Sequence, residues 1–176
     1  MSMLGLDIGT TGVKAVAFHD DGQVIASAYE EYDLHSPQLG HLELDPREVL
    51  AAIRTVTGKV GAETRTDPIR SMAACTLGEA TVPVDTSFEP VANSIVGFDS
   101  RGEEEMKEFQ TKLSDQEVFD ITGHGINSYH TLFKILWRRE HDRSTFGRTH
   151  KFLGFADFTA ASMGIEPHMD LSLIHI

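Results

Sequence analysis

One cysteine, one tryptophan and few basic side chains set the first limits on this 176-residue sequence. The lone Cys75 excludes an internal disulfide and leaves no cysteine pair for a zinc site. Lys and Arg total 15 against 27 Asp and Glu, a formal charge of −12. That balance argues against nucleic acid or an anionic membrane surface as a partner, since both call for a basic face. No apolar run approaches the roughly 18 residues that a membrane helix needs. The opening MSMLGLDIG has no basic stretch and meets Asp7 almost at once, so it does not read as a signal peptide. With 40% hydrophobic and 24% charged residues, the composition is globular rather than disordered. A cytoplasmic location is expected.

What is present begins with strands. Residues 3–8 form a short apolar run that stops at Gly9-Thr10-Thr11-Gly12. Val13, Ala15, Ala17 and Phe18 follow, then the turn signal Asp20-Asp21-Gly22, then a third alternating stretch over 24–31. Three strands joined by tight turns predict an antiparallel meander. They leave no helix after the first strand, as a Rossmann unit would need. Asp45-Pro46-Arg47-Glu48 predicts a helix start, with Asp45 as N-cap, Pro46 at N1 and Glu48 able to close a capping box. Val49, Leu50, Ile53, Val56 and Val60 carry that helix to a stop at Gly61.

Further along, 69–76 reads as a buried strand and 81–85 as its hairpin partner or continuation. Another strand is expected over 93–97, helices over 101–113, 115–121 and 129–141, a short strand over 152–155, and a last helix ending near Gly164. The expected fold class is α/β in one domain, a β-meander followed by alternating helices and strands.

The segment Asp7-Ile8-Gly9-Thr10-Thr11-Gly12-Val13-Lys14 carries the sharpest chemistry. Glycines let backbone N–H groups approach phosphate oxygens, threonine hydroxyls add donors, and Lys14 adds a point charge. Asp7 can hold Mg²⁺ directly or through water, because magnesium takes oxygen ligands and keeps much of its hydration. The spacing matches neither a P-loop nor GxGxxG. An ordinary hairpin whose glycines serve only the turn is the competing reading.

LGLDIGTTGVKA over residues 4–15 resembles the first phosphate motif of the sugar-kinase, Hsp70 and actin superfamily. Gly40-His41-Leu42-Glu43-Leu44-Asp45-Pro46 is similar to the G-x-x-E-x-D-P stretch of FGGY carbohydrate kinases, and Phe98-Asp99-Ser100-Arg101 to their D-x-R segment. Thr131-Leu132-Phe133-Lys134-Ile135-Leu136-Trp137 resembles their T-L-x-K-L-x-W helix, and Asp157-Phe158 stands where they usually carry Asp-Tyr.

The resemblance implies an actin-like (ribonuclease H-like) fold and ATP-dependent phosphorylation of a sugar or polyol hydroxyl, with ATP and Mg²⁺ as cofactors. It places Asp7 on the metal, and Thr10, Thr11, Gly12 and Lys14 on the phosphates. Glu79 stands where glycerol kinases have the second residue of an Arg-Glu pair, and so is a candidate for a substrate hydroxyl. Gly78 in place of the arginine speaks against glycerol. Asp99 is the second candidate, since a carboxylate accepts two hydrogen bonds. All three carboxylates stand at or beside strand ends and are expected to meet at one edge of the sheet.

Each residue also has a plainer reading. Glu79 could be solvated at a strand end, Asp99 could cap the next helix, Trp137 and the Leu132/Ile135/Leu136 stripe read as core, and Cys75 as a small buried residue. The rival functions are a non-kinase actin-like or Hsp70-like ATPase and an inactive scaffold of the same fold. No catalytic base is assigned here: in the family it lies in a second half, along with the adenosine site. The expected layout is a kinase N-terminal domain over 1–170, a non-native tail over 171–176 resembling a translated transposon end, and an absent C-terminal domain. The chain alone is expected not to turn over. A homo-oligomer at full length stays open.

Overall fold

The computed structural model describes residues 2–168; the expected tail over 171–176 lies outside them. Its elements are β1 (Ser2–Ile8), β2 (Gly12–Phe18), β3 (Val24–Glu31), β4 (Glu43–Leu44), α1 (Pro46–Glu63), β5 (Ile69–Thr76), β6 (Thr81–Val84) and β7 (Ser94–Ile95). Then come α2 (Glu103–Gln110), α3 (Asp115–Thr122), α4 (Thr131–His141), α5 (Arg143–Arg148), β8 (Lys151–Gly154) and α6 (Phe155–Ser162). The sequence reads as one domain. Its contacts group into two compact units, residues 1–34 with 44–77, and residues 35–43 with 78 onward.

In the first unit the meander forms as expected, with β1 pairing antiparallel to β2 and β2 to β3. β5 adds a parallel edge, giving the order β3-β2-β1-β5. Period-two alternation sends Leu4, Leu6, Ile8, Val13, Ala15 and Ala17 to the buried face. α1 packs on β2 and β3 with Val49, Ala52, Ile53, Val56 and Val60 buried. Asp45 caps this helix through the Arg47 N–H at 2.8 Å.

Two expectations change here. α1 runs through Gly61 to Glu63, because a helical glycine needs a left-handed turn to end the helix and Gly61 has no positive φ. β5 is a strand but not a buried one: it is the sheet edge, and Arg70 to Cys75 are exposed.

The second unit holds a four-stranded sheet in the order β4-β7-β6-β8. Thr81–Val84 is therefore neither a hairpin partner nor a continuation of β5; it pairs antiparallel with β7 and β8. The physical break is Glu79, whose φ of 49° is left-handed and ends any extended run. Val82, Val84, Ile95, Val96, Leu153, Phe155 and Phe158 are buried in this unit. α3 opens on a Ser114–Glu117 capping box and closes on left-handed Gly123. α5 carries no clear apolar period in the sequence; Asp142 caps it through the Thr145 N–H.

Candidate functional site

In the first unit, β-register builds one cross-strand row. Tyr29 lies opposite Lys14, Lys14 opposite Asp7, and Asp7 opposite Cys75. Facing residues of paired strands share a side, and all four are exposed. Among the described residues, neither the Asp7 carboxylate nor the Lys14 ammonium has a hydrogen-bond partner in the protein.

The hairpin above this row is closed by the Gly9 N–H donating to the Gly12 carbonyl at 2.9 Å. A side chain at Gly12 would put its Cβ 2.5 Å from the Tyr29 hydroxyl and 2.7 Å from the Glu30 carbonyl, so only glycine fits. Thr10 is half-buried and Thr11 exposed at the tip. The Tyr32 hydroxyl donates to the Gly9 carbonyl at 2.5 Å and also lies 3.1 Å from the Gly12 carbonyl. Burial, then the nearby Tyr29 and Asp7, push the Tyr32 pKa up, so it stays a donor and clamps the turn.

In the second unit, Glu79 stands at the start of the run into β6 and lines a cavity of about 440 Å³. Phe109, Leu113, Leu132 and Phe133 give that cavity an apolar wall, while Tyr129 and His130 give it polar edges. The Thr131 N–H, in the first turn of α4, donates to Glu79 Oε2 at 2.5 Å. An anion is well placed at a helix N-terminus. Gly97 makes the approach possible: a Cβ there would stand 3.2 Å from both Glu79 Cβ and the Tyr129 carbonyl.

The 40–43 and 99–101 segments form a single cluster. The Leu42 N–H donates to Asp99 Oδ2 at 2.5 Å, and Arg101 donates to Asp99 through Nε and Nη2 and to Glu43 through Nη1 at 2.6 Å. Ser100 N–H and Oγ both donate to the Gly40 carbonyl at 2.9 Å. Lys134, buried on α4, donates through Nζ to the carbonyls of Asp99 and Arg101 at 2.7 and 2.6 Å. Burial alone would raise the Asp99 pKa; the guanidinium of Arg101 and the two backbone N–H groups outweigh it and hold the carboxylate below its usual range. Burial pushes Lys134 down. The Trp137 ring lies over this cluster, 5.0 Å from the Arg101 guanidinium carbon.

The sequence model of the FGGY family of carbohydrate kinases, N-terminal domain, matches residues 2–174. The chain belongs to the FGGY family. It is 26% identical over 171 residues to a gluconokinase of Bacillus subtilis (strain 168), covering 97% of this chain and 33% of that protein. A xylulose kinase of Klebsiella pneumoniae is 27% identical over 169 residues, 96% of this chain and 35% of the relative. The crystal structure of xylulose kinase from Rhodospirillum rubrum superposes with a TM-score of 0.85 at 25% identity, covering 90% of this chain and 33% of that one. The chain thus spans about a third of the length of the curated relatives it matches.

Within this FGGY domain, the site residues read from sequence separate into two groups. Asp7, Thr10, Thr11, Gly12 and Lys14 all sit on the β1–β2 hairpin of the first unit. Glu79 and Asp99 belong to the second unit. Asp99 needs a correction. Its side chain is 0% exposed and already takes N–H donors from Leu42 and Arg101, which leaves no open oxygen for a hydroxyl. It does not line the cavity that Glu79 lines.

Cys75 is exposed rather than buried, because β5 is an edge. Trp137 is half-buried over Arg101 rather than in the core. Sequence reasoning missed Tyr32, for which no local signal exists, and the ion pair of Arg101 with Glu43. The Lys134 role had a signal, a lysine inside the apolar stripe Leu132-Phe133-Lys134-Ile135-Leu136.

Proposed function

We propose that this chain is the N-terminal portion of a cytoplasmic kinase that moves the γ-phosphoryl group of ATP to a hydroxyl of a sugar or polyol. The observation that carries this reading is the exposed row in which Asp7 and Lys14 lie side by side beneath a glycine-built hairpin. Phosphoryl transfer asks mostly for positioning and charge neutralisation. Magnesium in such sites is held by one or two carboxylates plus the phosphates themselves. Asp7 suits that role, being exposed and without a protein partner among the described residues. Mg²⁺ bound with ATP supplies neutralising charge there. Lys14 adds a second cation and Thr10 and Thr11 offer hydroxyl donors, on a turn that Gly12 lets close against Tyr29 and Glu30.

On the substrate side, Glu79 takes a hydroxyl through Oε1, its other oxygen being held by the Thr131 N–H. Asp99 serves by position: it fixes Arg101 and the 40–43 segment rather than touching sugar. The group that removes the hydroxyl proton belongs to sequence beyond this third of the relatives' length, and the 176-residue chain binds without turnover. The test is ADP release with gluconate, xylulose and glycerol by a chain of the relatives' length carrying these residues. Asp7→Asn should lower kcat by about 100-fold or more, the scale of one strong electrostatic contact in a transition state. Sugar-dependent ADP release that Asp7→Asn leaves unchanged would refute the assignment.

A further inference from the structure

We propose that Tyr29 is a further phosphate ligand of the β1–β2 hairpin, its hydroxyl donating to a non-bridging oxygen of the phosphates held beside Lys14. This rests on the reading of residues 7–14 as a phosphate site and adds to it a residue outside that motif. Tyr29 stands on β3 directly opposite Lys14 on β2, and so on the face that carries Asp7. It is 50% exposed. Its ring leans along the diagonal towards the hairpin, where Gly12 pairs with Glu31. The hydroxyl comes to 2.5 Å from the place that a Gly12 Cβ would take. A diagonal neighbour two residues out of register is within reach of an aromatic side chain. The gap left at Gly12 is thus filled by an oxygen that carries a hydrogen.

Two tyrosine hydroxyls meet this turn, and only one has its hydrogen committed. Tyr32 donates to the Gly9 carbonyl at 2.5 Å, and a hydroxyl has one hydrogen to give. Among the described residues, the Tyr29 hydroxyl makes no hydrogen bond to the protein. After burial, Tyr29 and Asp7 are the groups that push the Tyr32 pKa up, so both stand within electrostatic reach of the turn.

The chemistry matches a phosphate. Its oxygens are charged acceptors, and hydrogen bonds to them are stronger than those between neutral groups. The row offers one cation, Lys14, directly beside the negative Asp7, so neutral donors have to supply the remainder. Thr10 and Thr11 carry hydroxyls at the tip of the turn. The Tyr29 oxygen, by contrast, sits at the end of a stiff ring laid against the Gly12 backbone. Tyr29 flanks Lys14 on the β3 side as Asp7, the candidate for magnesium, does on the β1 side.

The experiment uses the 176-residue chain with ¹³Cζ-labelled tyrosine, and magnesium tripolyphosphate as the probe, which carries phosphates without a nucleoside. The three tyrosines give three resonances, assigned by replacing each with phenylalanine. The expected result is a Tyr29 Cζ resonance that shifts saturably at millimolar probe, while that of Tyr129, in the other unit, does not move. Tyr29→Phe removes only the oxygen and keeps the ring. It should weaken tripolyphosphate binding about tenfold, the lower end for a hydrogen bond to a charged group. Amide exchange at Gly9 and Gly12 should stay unchanged, because Tyr32 still closes the turn. Faster exchange there in Tyr29→Phe would mean that Tyr29 serves the fold, and would overturn the ligand role. If Lys14→Gln weakens binding while Tyr29→Phe binds like the parent, the role of Tyr29 is overturned and the phosphate site stands. If the probe moves no resonance, or if Lys14→Gln and Asp7→Asn leave its binding unchanged, the site reading fails and this inference fails with it. An equal Tyr29 shift from sodium chloride at matched ionic strength refutes the hydrogen bond directly.

Discussion

Replacing Asp99 by asparagine should destabilise the second unit rather than remove a ligand contact. The carboxylate is fully enclosed and holds Arg101, whose side chain is only 5% exposed, together with the Leu42 N–H. Removing one partner of a buried ion pair leaves the other charge without compensation and costs about 3–5 kcal/mol. Glu43 remains on Arg101, at 2.6 Å and partly exposed, which places the expected loss near the lower figure. A domain of this size is stable by about 5–15 kcal/mol, so the variant stays folded but loses a substantial share of its stability.

Trp137 is a built-in reporter, since it is the sole tryptophan and lies over Arg101. Urea unfolding followed by its fluorescence should show the midpoint lowered by about 1.5 M for a slope of about 2 kcal/mol/M, with the slope unchanged. The effect should also depend on pH. Because the folded pKa of Asp99 is held low, its contribution is complete above the unfolded carboxylate value of about 3.9 and disappears as pH falls through the lower folded value. The difference between parent and variant should therefore shrink only in acid. A midpoint shift under about 0.3 M at neutral pH, roughly the worth of a surface ion pair, would refute the claim that this cluster holds the unit together.

Gly58→Ala and Gly61→Ala should each raise stability by about 0.5–1 kcal/mol, as both lie inside α1 with nothing within 4 Å of an added Cβ; thermal unfolding checks this. Gly97→Ala should do the opposite, costing about 1–3 kcal/mol and disturbing Glu79, because the added methyl meets Glu79 and the Tyr129 carbonyl at 3.2 Å; a parent-like melting temperature would count against the packing described. Tyr32→Phe should cost about 1–1.5 kcal/mol by removing the donor to the Gly9 carbonyl. Faster amide exchange at Gly9 and Gly12 is its signature, and unchanged exchange would show that the turn holds without the clamp.

The sequence by itself determined what depends on near neighbours. Alternation set the buried face of β1 and β2, Asp45 and Pro46 set the start of α1, and the Gly9–Gly12 turn set the hairpin that carries Asp7 and Lys14, since each follows from steric and hydrogen-bonding rules acting over a few residues. The tertiary structure decided everything that needed a distant partner. β5 reads as buried until its place at the sheet edge is known, and Thr81–Val84 reads as its continuation until Glu79 turns left-handed. Asp99 looks like an available carboxylate in sequence. Only the return of residues 40–43 against 99–101 brings it the Leu42 N–H and brings Arg101 its Glu43, and that uses Asp99 to hold the fold, leaving Glu79 beside His130 at the cavity.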